Sequence, residues 1–179
     1  MDIAPLQQTQ QANPFSEFPP QYRFRTSQNS QTFAEIGKNL LELYLKSRNK
    51  ELLPQIQCHL EQALTQNPYN LVVTEQLGVV YLIQAQFLKG LLKMYKLNTA
   101  KDLFCRVLEE EHTNIRVWEY LGKALLESGF LKGSLALRNL DAAEKCFKWI
   151  ITLDPRNTYA TRNLWRVYFA QASHSKAIK

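Results

Sequence analysis

From about residue 37 onward, apolar side chains recur three and four positions apart: Leu40 and Leu43, Leu60 and Ala63, Leu77 and Tyr81, Ala100 and Phe104, Trp118, Leu121 and Leu125, Ala143 and Phe147, Leu164 and Tyr168. That spacing puts each set on one face of a helix. Asn67-Pro68 and Asp154-Pro155 interrupt the pattern where one helix must stop before the next begins. Several positions also repeat at a fixed offset: Leu77-Gly78 returns as Leu121-Gly122, Phe87-Leu88-Lys89-Gly90 as Phe130-Leu131-Lys132-Gly133, and Ala100 with Phe104 as Ala143 with Phe147, each displaced by 43 or 44 residues. An offset of this size marks stacked helical repeats. Such units cannot bury their apolar faces alone, so they share a core with their neighbours and leave one long surface for a partner.

Within each repeat the residue sizes follow from packing. Gly78, Gly122, Ala100 and Ala143 are small where two helix backbones must approach closely, and Tyr81, Trp118 and Phe147 fill the gaps between neighbours. Asn98 and Asp141 fall at equivalent places and read as N-caps of the second helices, Asp141 with Glu144 as a capping box. The stretch before each cap then lies between the two helices of its pair, broken at Gly90 and Gly133. Leu91, Leu92, Met94, Tyr95 and Leu97 in one stretch, and Leu135, Leu137 and Leu140 in the other, are expected to pack on each other as a lobe. That lobe would serve either as extra core or as a docking surface.

The order of these residues resembles the tetratricopeptide repeat (TPR), a helix-turn-helix unit of about 34 residues. The resemblance covers about residues 37–175. Its third unit carries Trp118, Leu121, Gly122, Leu125, Ala143, Phe147 and Pro155, and its second Leu77, Gly78, Tyr81, Ala100 and Phe104, with His112 in place of the usual proline. A degenerate first unit offers Leu40, Leu43, Leu60, Ala63 and Pro68, with Tyr44 where glycine is expected, and a last helix has Leu164 and Tyr168 with Trp165 at that place. The resemblance implies an all-α, right-handed solenoid of antiparallel helix pairs: repeats at about 37–70, 71–114 and 115–157, then a capping helix at 158–175 whose Arg162, Arg166 and Gln171 cover the open end. Domain limits of 33–179 are expected, preceded by a disordered arm over 1–32. The second and third units are about ten residues longer than the family's standard length.

In this family the first helices line a groove. The positions carried over are Val72, Glu75, Val79 and Leu82, then Arg116, Glu119, Lys123 and Leu126, then Tyr159, Arg162, Arg166 and Phe169. The expected groove is apolar at one end and basic with aromatics at the other, which suits a peptide with acidic and hydrophobic side chains. Members that bind chaperone tails clamp a terminal carboxylate with Lys and Asn. Leu41, Leu45, Glu75 and Gln76 occupy those places, so the clamp is not carried over.

Composition changes this picture in three ways. The first 32 residues are rich in Gln and Pro and lack an apolar period, which is why they read as an arm, and Phe15, Phe18, Tyr22 and Phe24 among the prolines make it suited to docking. No basic start followed by an apolar run marks a secretory signal, and no stretch approaches the roughly 20 apolar residues of a membrane span. Cys58, Cys105 and Cys146 are widely spaced within helical patterns, so free and mostly buried thiols in a cytoplasmic protein are expected. Finally, the net charge of +6 is uneven along the chain: residues 1–114 balance, while 158–179 hold four bases and no acid, which points to an acidic partner at the C-terminal end.

No catalytic or metal constellation emerges. His59, His112 and His174 are scattered, Cys58 and His59 point about 100° apart on a helix, and no Gly-rich phosphate loop or C-x-x-C pair occurs. The chain is therefore expected to be no enzyme and to need no cofactor. The expected role is a protein-interaction scaffold, adaptor or assembly chaperone that holds a polypeptide in its groove. A chaperone similar to those of bacterial type III secretion is the alternative. Nucleic-acid binding through Arg156, Arg162, Arg166, Lys176 and Lys179 is disfavoured, because these bases form no continuous stripe.

Overall fold

The computed structural model describes residues 20–131 and 133–177, which form seven helices and no strand: α1 (Pro20–Ser47), α2 (Leu52–Gln66), α3 (Leu71–Ala85), α4 (Gly90–Glu110), α5 (Ile115–Gly129), α6 (Ala136–Leu153) and α7 (Thr158–Ala177). Helices α1 and α2, α3 and α4, and α5 and α6 pack as consecutive pairs, each pair lies on the next, and α7 closes the stack. The result is an all-α solenoid of three pairs and a final helix. Helix α1 includes residues 20–32, expected in the arm, so these are helical. The rest of the arm, with Phe15 and Phe18, lies outside the described residues.

Every return from a second helix to the next first helix is the same turn. The N–H groups of Asn70, Asn114 and Asn157 donate to the carbonyls of Asn67, Glu111 and Asp154. Each asparagine side chain then accepts from the third residue beyond it: Val73, Val117 and Ala160, at 3.2, 3.2 and 2.8 Å. The asparagine thus satisfies one of the N–H groups that a helix start leaves unpaired. Asparagine at 70, 114 and 157 is a more regular marker of these turns than the prolines are.

The repeats meet through glycine-to-ring contacts. A Cβ placed on Gly122 would lie 2.8 Å from the Phe147 ring, and one on Gly78 would lie 2.6 Å from Phe104, so only glycine admits these fully buried phenylalanines. The same test corrects the register of the first repeat. A Cβ on Gly37 would lie 2.5 Å from Leu60 Cδ2, whereas Tyr44 is a buried core side chain. The close-approach position is therefore Gly37, two turns earlier than expected, and the first repeat starts within α1 before residue 37. Each phenylalanine also reaches forward: Phe104 stacks on Tyr120 at 5.6 Å and Phe147 meets Tyr159 edge-on at 6.5 Å, which couples successive pairs.

The extra length of the longer repeats is not an insertion between helices. Asn98 and Asp141 lie inside α4 and α6 and cap nothing. Asp141 Oδ1 instead accepts from the Gln171 amide at 2.9 Å. The added residues lengthen the second helices at their N-termini. From Gly78, α3 continues only to Ala85, while α4 reaches back from Phe104 to Gly90, so α4 projects past α3 by about 10 Å. Gly90, with φ of 57°, makes the turn into it. Leu97 and Leu140 are buried, but Leu91, Leu92, Met94, Tyr95, Leu135 and Leu137 are exposed, and Lys101 of α4 reaches Asn139 of α6 at 3.4 Å. The expected apolar lobe is therefore not a packed core, because most of its side chains face outward.

Candidate binding face

The first helices α1, α3, α5 and α7 lie side by side and form one continuous face. Polar pairs tie its seams. Arg116 grips Glu75 in a fork, Nε to Oε1 at 2.8 Å and Nη2 to Oε2 at 3.0 Å, joining α5 to α3. That hydrogen bond raises the Arg116 pKa further. The Asn157 amide donates to Glu119 Oε1 at 2.9 Å, joining the start of α7 to α5. Glu127 receives Lys93 at 3.1 Å and approaches Arg166 at 3.9 Å. Two of the three acids on this stretch of α5 and α3, Glu75 and Glu127, are thus ion-paired to bases, and the third is held by an amide.

Two concavities open on the face. The first, of 560 Å³, lies between α1 and α3 and is lined by Gln31, Ala34, Glu35 and Lys38, by Gln66, Asn67 and Asn70, and by Val72, Val73 and Gln76. Its one cation, Lys38, is offset by Glu35, and its amides offer both donors and acceptors of the kind that pair with peptide groups. The second, a broad cleft of 640 Å³, is formed by Phe130, Arg162, Trp165, Arg166 and Phe169. There Arg166 is steadied by Asn163 Oδ1 at 2.8 Å and sits 5.8 Å from the Phe130 ring. Trp165 and Phe169 are 70% and 77% exposed. The open end of the solenoid is consequently aromatic as well as basic, and not the polar cover expected of α7. Trp165 stands where the complete repeats have glycine, and among the described residues no second helix covers it.

The groove residues expected from sequence divide into three groups. Arg162 and Arg166 meet in the second cleft. Glu75, Arg116 and Glu119 lie on the face as seam partners, Val79 and Lys123 are half-buried along it, and Tyr159 is half-buried against Phe147, with burial and then Glu119 raising its phenol pKa. Leu82 and Leu126 are the corrections: both are in the core, 3% and 0% exposed, and offer nothing to a ligand. The face also includes residues that the repeat pattern alone misplaces. With Gly37 as the close-approach residue, the positions assigned to Leu41 and Leu45 belong to Ala34 and Lys38. The pair Ile36-Gly37, matching Leu77-Gly78, is the sequence signal that marks them.

Cys58 and Cys105 are exposed and only Cys146 is buried, contrary to the expectation of mostly buried thiols, because two of the three sit on outward helix faces. Burial pushes the Cys146 thiol up to about 12. His59 stacks on Phe33 at 6.0 Å. Among the described residues no group of three or more His, Cys, Asp or Glu is placed to hold a metal, and no helix is long and apolar enough to cross a membrane.

Three helix pairs stacked in one direction, with a shared face of first helices and a capping helix, define an α-solenoid of the helix-turn-helix type. Solved structures of the same architecture are tetratricopeptide-repeat domains, and this is the fold of the chain. The Arabidopsis OM64 TPR domain superposes with a TM-score of 0.57 at 15% identity, over 78% of this chain and 96% of that one. The first TPR of Spaghetti (RPAP3), bound to the HSP90 peptide SRMEEVD, gives 0.57 at 19% identity, over 82% and 95%. The second TPR domain of human RPAP3, in complex with the HSP70 peptide SGPTIEEVD, gives 0.54 at 13% identity, over 80% and 98%. No protein-family model and no curated protein matches the sequence.

Proposed function

We propose that this chain is a protein-interaction adaptor that holds an extended peptide along the face of α1, α3, α5 and α7, with the peptide's acidic and apolar side chains in the cleft of Arg162, Arg166, Trp165, Phe169 and Phe130. The observation that carries the reading is this cleft: two guanidiniums and three aromatic rings at one end of a continuous face. Guanidinium forks pair with carboxylates, and exposed rings take apolar anchors. The structural neighbours in complex with acidic HSP90 and HSP70 peptides support the same mode of use for this fold. The amide-rich cleft beside Lys38 would hold the other part of the peptide's backbone. A chaperone or assembly role follows if the bound segment belongs to a subunit awaiting its partner.

The test is fluorescence anisotropy with labelled SRMEEVD and SGPTIEEVD peptides and with the chain's own captured partner, comparing the wild type with Arg162→Glu/Arg166→Glu. Reversing two charges is expected to weaken binding at least tenfold, with the loss shrinking as salt rises. Unchanged affinity in a double mutant whose circular dichroism is native would remove the cleft from the binding site.

A further inference from the structure

Antiparallel pairing sends all three connections from first to second helix to one edge of the solenoid and all three returns to the other. Charge that looks scattered along the sequence is sorted by this arrangement. The segments at the first edge carry Lys46, Arg48 and Lys50 with Glu51, then Lys89, Lys93 and Lys96 with no acid over 86–97, then Arg138 at the start of α6 with no acid over 133–140. Lys93 is bridged to Glu127 in the last turn of α5, and Lys96 donates to Gln57 at 3.2 Å and lies over the Tyr81 ring, so the outward cations of this edge are Lys46, Arg48, Lys50, Lys89 and Arg138. The return connections and the helix starts beside them hold Glu109, Glu110, Glu111 and Asp154 against Arg116 and Arg156, with Arg23 and Arg25 in the same stretch of α1, so acids and bases balance there.

The basic edge is also where the lengthened second helices project. Leu91 is 78% exposed, Leu92 65% and Tyr95 60%, and Phe87, Phe130 and Leu135 stand in the same row of connections. Lys50 lies 4.0 Å over the Phe87 ring, so cation and apolar surface are interleaved there. No side chain caps the starts of α2, α4 or α6, in contrast to the asparagine-capped α3 and α5.

We propose that this edge docks on an anionic lipid surface, with Leu91, Leu92 and Tyr95 at the headgroup level and Lys46, Arg48, Lys89 and Arg138 over the lipid phosphates. Three features favour a bilayer. Leu91, Leu92 and Tyr95 project from the rim at the start of α4. Lysines beside leucines and a tyrosine form the pattern that lets aliphatic groups enter the interface while ammonium groups stay at its surface. The basic excess lies on this edge while charges balance on the opposite one, so an extended negative surface attracts this edge more strongly, which biases orientation as well as attachment.

The experiment is co-sedimentation of the full chain with vesicles of phosphatidylcholine containing about 30% phosphatidylserine, and with pure phosphatidylcholine vesicles, at low and physiological salt. Partition onto the anionic vesicles alone, falling as salt rises, is expected. Leu91→Asp/Leu92→Asp should reduce it about tenfold or more, and acids in the first turn of α4 favour the helix there, so folding is kept. Lys89→Glu/Arg138→Glu should reduce it similarly while leaving peptide anisotropy unchanged. No partition onto anionic vesicles, equal partition onto neutral ones, or full partition by the folded Leu91→Asp/Leu92→Asp variant overturns the proposal and leaves the edge to a protein partner.

Discussion

Gly122 offers the sharpest test of how the repeats are held. A Cβ at this position would lie 2.8 Å from Cε1 and Cζ of Phe147, a ring with no exposed surface that also abuts Tyr159. Contact at ordinary van der Waals distance needs the ring to retreat by most of an ångström, and a ring with no exposed surface has neighbours to displace. Overpacking of this kind costs about 1–3 kcal/mol, while alanine gains about 1 kcal/mol over glycine in a helix interior. Gly122→Ala is therefore expected to lose about 1 kcal/mol net. Phe147→Leu alone leaves a cavity and should lose about 1–2 kcal/mol. In the double mutant the shorter leucine vacates the space that the new methyl needs, so the two losses should fall short of additivity by about 1 kcal/mol. Urea unfolding followed by circular dichroism measures all four corners of the cycle. Additivity within about 0.5 kcal/mol would refute the contact, and with it the glycine-to-ring rule that sets the register of every repeat.

The other glycines provide contrasts. A Cβ added at Gly133 would meet no atom beyond its chain neighbours within 4 Å, so Gly133→Ala should be neutral or stabilising by about 0.5 kcal/mol in the same assay. Gly90, at φ of 57°, should lose about 1 kcal/mol on change to alanine through backbone strain alone. Asn157→Ala removes the cap on the Ala160 N–H and the bond to Glu119, and should lower the melting temperature by the equivalent of about 1 kcal/mol or more. Cys146 makes stability depend on alkaline pH. Its thiol is raised from 9.0 to about 12 by burial, so the folded state keeps a proton that the unfolded state releases. Its contribution is complete below pH 9 and is lost as pH rises toward 12. Cys146→Ala should therefore show a shallower fall in melting temperature between pH 9 and 11 than the wild type, and an identical slope would contradict the assignment.

Much of the fold is legible in the sequence because its determinants are local. The apolar spacing, the Pro and Asn stops, and the small residues at Gly78, Gly122, Ala100 and Ala143 each act within a few turns of their own helix, and together they specify helix pairs, their number and the final single helix. Arg162 and Arg166 can be placed together for the same reason, since their spacing on one helix fixes a shared face.

Tertiary structure decided what depends on partners distant in sequence. That Gly37 and not Tyr44 is the close-approach residue follows from Leu60 on another helix, and that Leu82 and Leu126 are core follows from the neighbours covering them. Asn98 and Asp141 have the chemistry of caps, but a longer helix continues through them. The charge excess, which in linear order belongs to the C-terminus, is regrouped by antiparallel pairing into a basic, apolar edge and an opposite edge where acids and bases balance. Periodicity states which face of a helix is apolar. Only the packing of all seven helices states which of those faces stay in water.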